Sequence, residues 1–371
     1  MQEMMGIIAN IKNEELMPEL TQHRCLSAVP FGGRYRVIDF VLSSMVNSGI
    51  RNVAVISSHK YRSLVGHLGS GKEWGLDRKS EGLMVLPSAS PGLARRNLSL
   101  DLKDMYANID YLEKSRQQYV VISGNNVICN LNYQDVLVYH KQKNAHITMI
   151  YKQEKGSAAD LSGVVFLGVG DDGRVNGIYR TPYKLGHNNV SMEMMIMRRE
   201  FLKELIWAAL ASGNWDLTAV IAGNLDDIEV FAFPFKGYLA RINSVESYFR
   251  HNMELLNPEI SQELFFGHGP IYTKTKDGPP TRYSEGCSVT NSLVASGCIV
   301  EGSVENSVLF RGVDIGRGAL VKNSIIMQKS AVEENAVLEN VILDKEVVIR
   351  KGTVLKGQEG QPIVIGKNNM L

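Results

Sequence analysis

From about residue 285 the chain repeats itself. The phrase "NSLV" at 291 returns as "NSVL" at 306, "NSII" at 323 and "NVIL" at 340, in steps of 15, 17 and 17 residues. Small and branched residues recur every six within them: Val313, Ala319, Ile325, Ala331, Val337, Leu343 and Ile349. A period of six, with about three such steps per coil, reads as a hexapeptide β-helix, whose triangular coils bury one aliphatic residue per side and stack on one another. An antiparallel sandwich gives no reason for seven positions in register. Such a β-helix ends in unpaired strand edges and shows a flat aliphatic side, so subunit contacts are expected.

Upstream the texture differs. Residues 1 to about 235 alternate short strands ("VAVIS" at 53, "YVVISG" at 119, "HITMIY" at 146, "IEVFAF" at 228) with helical patterns such as "VIDFVLSSMVNSGI", where Gly49 is placed as a C-terminal cap, and "DLKDMYANIDYLEKS". This alternation predicts an α/β domain with a mostly parallel sheet covered on both faces. Residues 236–284, with "NPE", "GHGP" and "DGPP", read as a helix and an irregular connector, and residues 285–371 as the β-helix domain. A chain of 371 residues has room for both cores.

The formal net charge of +1 argues against nucleic acid or a membrane surface as the main partner. Four scattered cysteines, Cys25, Cys129, Cys287 and Cys298, form no C-x-x-C pair and fit a reducing cytoplasm. Glu3 stands where a signal peptide is basic, and the first apolar run ends at Ala9; neither a signal peptide nor a spanning helix is expected.

The segment "SAVPFGGRYRVIDFVLSSMVNSGIRNVAVIS", residues 27–57, resembles the glucose-1-phosphate adenylyltransferases (ADP-glucose pyrophosphorylases). Further matches follow in order: "GSGKEWGLDR" at 69, "YVVISGNN" at 119, "VFAFPFKGY" at 230 and "SYFRHNMELL" at 247. The resemblance implies a Rossmann-like nucleotidyltransferase domain followed by a left-handed parallel β-helix, and a tetramer. It also implies the reaction of ATP with glucose 1-phosphate to give ADP-glucose and pyrophosphate, which needs cations and carboxylate-held magnesium.

Those parts are missing at the matching positions. In the first loop of "MMGIIANIKNEELMPEL" the family's three glycines read Asn10, Ile11 and Asn13, and its arginine reads Glu15. A carboxylate ~4 Å from a phosphate, at an effective dielectric of ~20, costs on the order of 4 kcal/mol per charge pair. A family lysine is Leu26, the next proline is Ser27, the adenine-reading glutamine is Ser58, and the Gly-Thr-Ala-Asp-Ala loop is replaced by residues 100–104. The two metal-holding carboxylates read Asn125 and Arg241, so the magnesium site is expected to be lost and no cofactor is expected. The sugar-phosphate lysine is Thr181, with Arg180 as a partial replacement, and the glycine of the sugar-facing motif is Glu193.

Loss at triphosphate, base, metal and sugar-phosphate positions together, with the scaffold motifs intact, implies a non-catalytic regulatory subunit. The expected partner is a catalytic paralogue in a heterotetramer, with a homo-oligomer possible for the isolated chain. Two alternatives stand beside it: altered enzymatic chemistry, with Arg241 replacing the metal's charge, and a sugar-phosphate sensor. An effector site would rest on His23, Arg24, Arg34 and Arg36: the resemblance places Arg24 and Arg36 at basic positions that in the family line a pocket for phosphorylated metabolites, with His23 at a lysine position and Pro30 at a histidine position, and a plain basic edge is the competing reading. Trp74, Leu76 and Asp77 are candidates for the vacated sugar side or for loop packing. His140 and His146 form a poor metal pair, and the Met run at 191–197 reads as strand core.

Overall fold

The computed structural model describes residues 3–9, 17–57, 60–89, 100–154, 163–181 and 188–371. The strands of the N-terminal sheet are β1 (Met4–Ile8), β2 (Asn52–Ser57), β3 (Gly82–Pro87), β4 (Tyr119–Ser123), β5 (Ile147–Glu154), β6 (Phe166–Val169), β7 (Val175–Tyr179), β8 (Asn188–Arg198) and β9 (Val230–Pro234). They form a nine-stranded sheet in the order β7-β6-β8-β4-β1-β2-β3, with β5 on β8 and β9 on β5. Strands β4, β1, β2 and β3 are parallel, as are β5 and β9, whereas β8 runs antiparallel to both β4 and β5.

Alternate residues face opposite layers, as a strand's period of two requires. Met5, Ile7, Val120, Ile122, Met195 and Met197 pack on the side of helices Leu102–Ala107, Ile109–Lys114 and Arg199–Ser212. On the opposite side, Met4, Ile8, Val121, Met194 and Ile196 meet α1 (Val37–Asn47), α2 (Arg62–Leu68) and α3 (Tyr133–Gln142). The Met run is therefore buried strand on both faces. The segment "DLKDMYANIDYLEKS" forms two helices rather than one. Asn108, at φ −118°, separates them, and its side-chain amide donates to the Asp104 carbonyl at 2.8 Å, a local bond that competes with the helical ladder.

From Arg282 to Ile365 the chain builds three five-stranded parallel sheets, the prism of a left-handed β-helix. The strict count of six needs correction. Ala331 and Val337 are only half-buried; the interior is lined by Ile315, Val321, Ile326, Val332, Leu338, Leu343 and Ile349, in steps of six, five and six. A 17-residue coil has one shortened corner, so a six-residue count slips off the interior once per coil.

The "NS" repeat is a corner device. Asn291, Asn306, Asn323 and Asn340 adopt φ of 40, 46, 46 and 52°, the left-handed region asparagine tolerates. The serines then link coils: the Ser307 N–H donates to the Ser292 hydroxyl, Ser324 N–H to Ser307 and Val341 N–H to Ser324, each at 3.1 Å.

One prism face is covered from within the chain. Val308, Ile325 and Ile342 share a core with Phe31, Phe40, Tyr248 and Leu255, which explains the doubled apolar residues in "SVLF", "SIIM" and "VILD". One aliphatic side of the prism thus packs on the N-terminal domain. The Phe-Gly-Gly turn is the wedge: Gly33, at φ +80°, would place a Cβ 2.5 Å from Leu293 of the first coil.

Candidate functional site

Two polar constellations lie on this frame, one at the C-terminal ends of β4 and β5 and one between the domains. The expectations at Asn10, Ile11, Asn13, Glu15 and Ser58 fall outside the described residues.

At the first, the turn after β4 presents Asn125 and Asn126, both buried. The Asn125 amide donates to the Ser27 hydroxyl at 2.9 Å, and the Ile242 N–H donates to the Asn126 carbonyl at 2.8 Å. Because Ala240–Arg241 pairs antiparallel with Val127–Ile128, Arg241 is delivered beside this turn. Its Nη2 donates to the Ser191 carbonyl at 3.1 Å and lies 3.7 Å from Glu154 Oε1, while its buried Nε has no partner among the described residues.

Glu193 sits in the bulge where the β8–β5 register shifts between Ser191 and Met194. Its φ is +54°, a conformation natural to glycine, yet it carries a buried carboxyl whose Oε1 has no hydrogen-bond partner among the described residues. Burial raises its pKa to about 7, against the pull of Arg241. An amide and a guanidinium offer a divalent cation no anionic oxygen, and Glu193 and Glu154 both face the positive charge of Arg241. This donor set does not fit magnesium. Among the described residues no cluster of His, Cys, Asp and Glu could hold a metal ion.

The other expected positions scatter. Leu26 is fully buried in the inter-domain core. Thr181 is exposed at the end of β7, and Arg180 is engaged at 2.5 Å by Asp216, the N-cap of helix Leu217–Ala222. Trp74 and Leu76 are core residues, and Trp74 packs edge-on against His67. His140 bonds Thr148 while His146 accepts from the Glu229 N–H, so neither faces the other as a ligand.

The second constellation is a cavity of about 430 Å³ between the Phe-Gly-Gly hairpin, the connector and the β-helix. Arg34 and Arg36 enter it from the hairpin, Lys274 and Lys276 from the connector, and Arg311, Lys329, Lys345 and Lys367 from successive coils. Its carboxylates are Asp277 and Glu346, and Glu346 already pairs with Lys367 at 3.3 Å.

Burial and mutual repulsion show in the titration of these cations. The Arg36 pKa is lowered to about 10 by burial, with Asp39 opposing and Arg24 contributing, so it remains charged at neutral pH. Burial, then Arg36, Arg311, Lys329 and Lys274, lower that of Lys276, and burial with Arg34 lowers that of Arg311. An anion would relieve this repulsion. Arg36 is held by Ser63, whose carbonyl and hydroxyl accept from its Nη1 at 2.7 and 2.9 Å.

Of the four residues expected to bind an effector, Arg34 and Arg36 line this cavity. Arg24 does not: it is buried in an ion pair with Asp344 of the β-helix, made through its Nη2. His23 is exposed and is not part of the lining.

Residues 13–257 match the family model described as nucleotidyl transferase, and residues 280–360 the model described as GlmU-like, C-terminal hexapeptide. The chain is 38% identical over 366 residues to the glycogen biosynthesis protein GlgD of Bacillus subtilis, covering 98% of this chain and 96% of that one. It is also 38% identical to GlgD of Geobacillus stearothermophilus, covering 99% and 97% of the two chains. A glucose-1-phosphate adenylyltransferase of Clostridium botulinum is 33% identical over 310 residues, 82% of this chain and 80% of its own. The chain belongs to the glucose-1-phosphate adenylyltransferase family.

As a member of that family it keeps the scaffold motifs for structural reasons. Asn252, from "SYFRHNMELL", accepts the Gly32 N–H at 3.0 Å, and Tyr248 donates to the Pro30 carbonyl at 2.7 Å. The sequence reading missed His67, Lys274, Lys276, Arg311, Lys329, Lys345 and Lys367 as cavity residues. No local motif links them, because they come from separate segments of the chain.

Proposed function

We propose that this chain is a non-catalytic regulatory subunit acting in glycogen biosynthesis in the cytoplasm, where it assembles with a catalytic glucose-1-phosphate adenylyltransferase chain into a heterotetramer. Among the described residues no helix is long and apolar enough to cross a membrane. The names borne by its relatives support the pathway. The observation that carries the non-catalytic reading is Arg241: a guanidinium tied to Ser191, beside an Asn125 tied to Ser27, where a transferase needs anionic oxygens for magnesium.

The cavity supports a second element of the same reading, binding of a phosphorylated metabolite. Eight Lys and Arg side chains converge there in a chain whose formal net charge is only +1. Occupancy would alter the seam between the domains and, through it, the partner's affinity for substrate; couplings of this kind amount to about 1–3 kcal/mol.

The test is to titrate the purified catalytic chain with this one and measure ADP-glucose synthesis. A change in apparent substrate affinity or turnover that saturates at a fixed subunit ratio is expected. Unchanged kinetics at every ratio, or metal-dependent turnover by the isolated chain, would overturn the proposal.

A further inference from the structure

Lys345 differs from the other cations of the cavity. It follows Asp344, whose Oδ1 accepts the Lys345 N–H at 2.7 Å, but both carboxylate oxygens of Asp344 are already held by Arg24. Among the described residues its amine forms no ion pair.

The groups facing it come from every wall. The hairpin supplies Arg34 and Arg36, and Arg24 lies behind it; α2 supplies His67. From the connector come Lys274, Lys276 and Asp277; from the coils, Arg311, Lys329, Glu346 and Lys367, of which the last two neutralise each other. Burial, then Arg36, Arg24 and Lys276, lower the Lys345 pKa to about 7, with only Asp344 opposing. The amine is therefore neutral in a large share of molecules near neutral pH. An anion seated among these cations reverses the local potential and favours the ammonium form.

We propose that a phosphate-class anion enters this cavity together with one proton, which the Lys345 amine takes onto its lone pair from the acid form of the solution's buffer, so that occupancy responds to pH as well as to ligand concentration. This rests on the anion-binding reading of the cavity given above. His67 is not the source of this effect: burial lowers its pKa from 6.5, so it stays neutral above pH 7, where the Lys345 response falls.

The probe is sulfate, which keeps its charge across the range, titrated calorimetrically into the full chain at constant ionic strength between pH 6 and 9, in buffers of different ionisation enthalpy. Wild type is expected to take up close to one proton per sulfate at pH 8, and affinity to fall toward tenfold per pH unit above about pH 7. Lys345→Arg, always charged, should bind without proton uptake and with no slope above pH 7; Lys345→Met should bind weakly with no slope. Sulfate binding by wild type with neither uptake nor slope, or a slope that survives in Lys345→Arg, overturns the proton-coupled proposal and leaves the anion site standing. No sulfate binding at any pH overturns both.

Discussion

Arg24 of the N-terminal domain grips Asp344 of the β-helix, its Nη2 lying 2.9 and 2.8 Å from the two carboxylate oxygens with both side chains almost wholly out of solvent. The pair stitches the domains at the edge of their shared apolar core. Since Lys345 hangs from the same carboxylate through its backbone N–H, the stitch and the cavity wall are one unit.

Breaking this pair from one side should cost more than removing it entirely. A lone buried charge left by Arg24→Ala or Asp344→Ala is expected to lose about 3–5 kcal/mol of stability. The apolar double replacement Arg24→Met with Asp344→Leu should lose clearly less than the sum of the singles. Urea unfolding of the four proteins measures this, and strict additivity would count against a tightly coupled pair.

Glu193→Gly should stabilise the chain, and more at pH 8 than at pH 5. Glycine accepts the +54° φ, where a side chain costs about 1–2 kcal/mol. The pH dependence comes from the carboxyl: its folded pKa, about 7, lies above the ordinary 4.5, so the folded state holds the proton more tightly and wild type loses stability as pH rises through that window. The loss amounts to on the order of 3 kcal/mol once pH exceeds both values. Thermal unfolding of both proteins at the two pH values decides it; equal gains would leave only the backbone term.

Removing a cation from the cavity should trade binding for stability. Arg311→Ala relieves repulsion from Arg34 and is expected to raise the melting temperature slightly without ligand. It should also reduce the rise produced by sulfate, reflecting affinity weakened about tenfold, or ~1.4 kcal/mol. An undiminished sulfate shift in this variant would place the anion elsewhere.

At the coil corners, Asn323→Gly is expected to be nearly neutral, while Asn323→Ala should cost about 1–2 kcal/mol through its φ of +46°. Ile325→Ala, which faces the inter-domain core, should cost about 2–5 kcal/mol. Chemical denaturation of the three variants checks both, and an Ala corner as stable as the Gly corner would remove the backbone account of the repeated asparagine.

The sequence alone determined the two architectures, because strand alternation and coil repetition are periodic and a period survives without coordinates. It also set the residue types around the turn after β4: Asn125 and Arg241 stand where the resemblance expects metal-holding carboxylates, and Glu193 where it expects a glycine facing the sugar. The count of six misplaced Ala331 and Val337 because a shortened corner is invisible until the coil closes. Tertiary structure decided which charges meet. Arg24 and Arg36 lie 12 residues apart in one basic segment, yet one is neutralised by a carboxylate from the far end of the chain while the other faces a cavity of like charges. Local pattern carries no information on that partner, since electrostatic environment depends on distance in space and on the depth of burial.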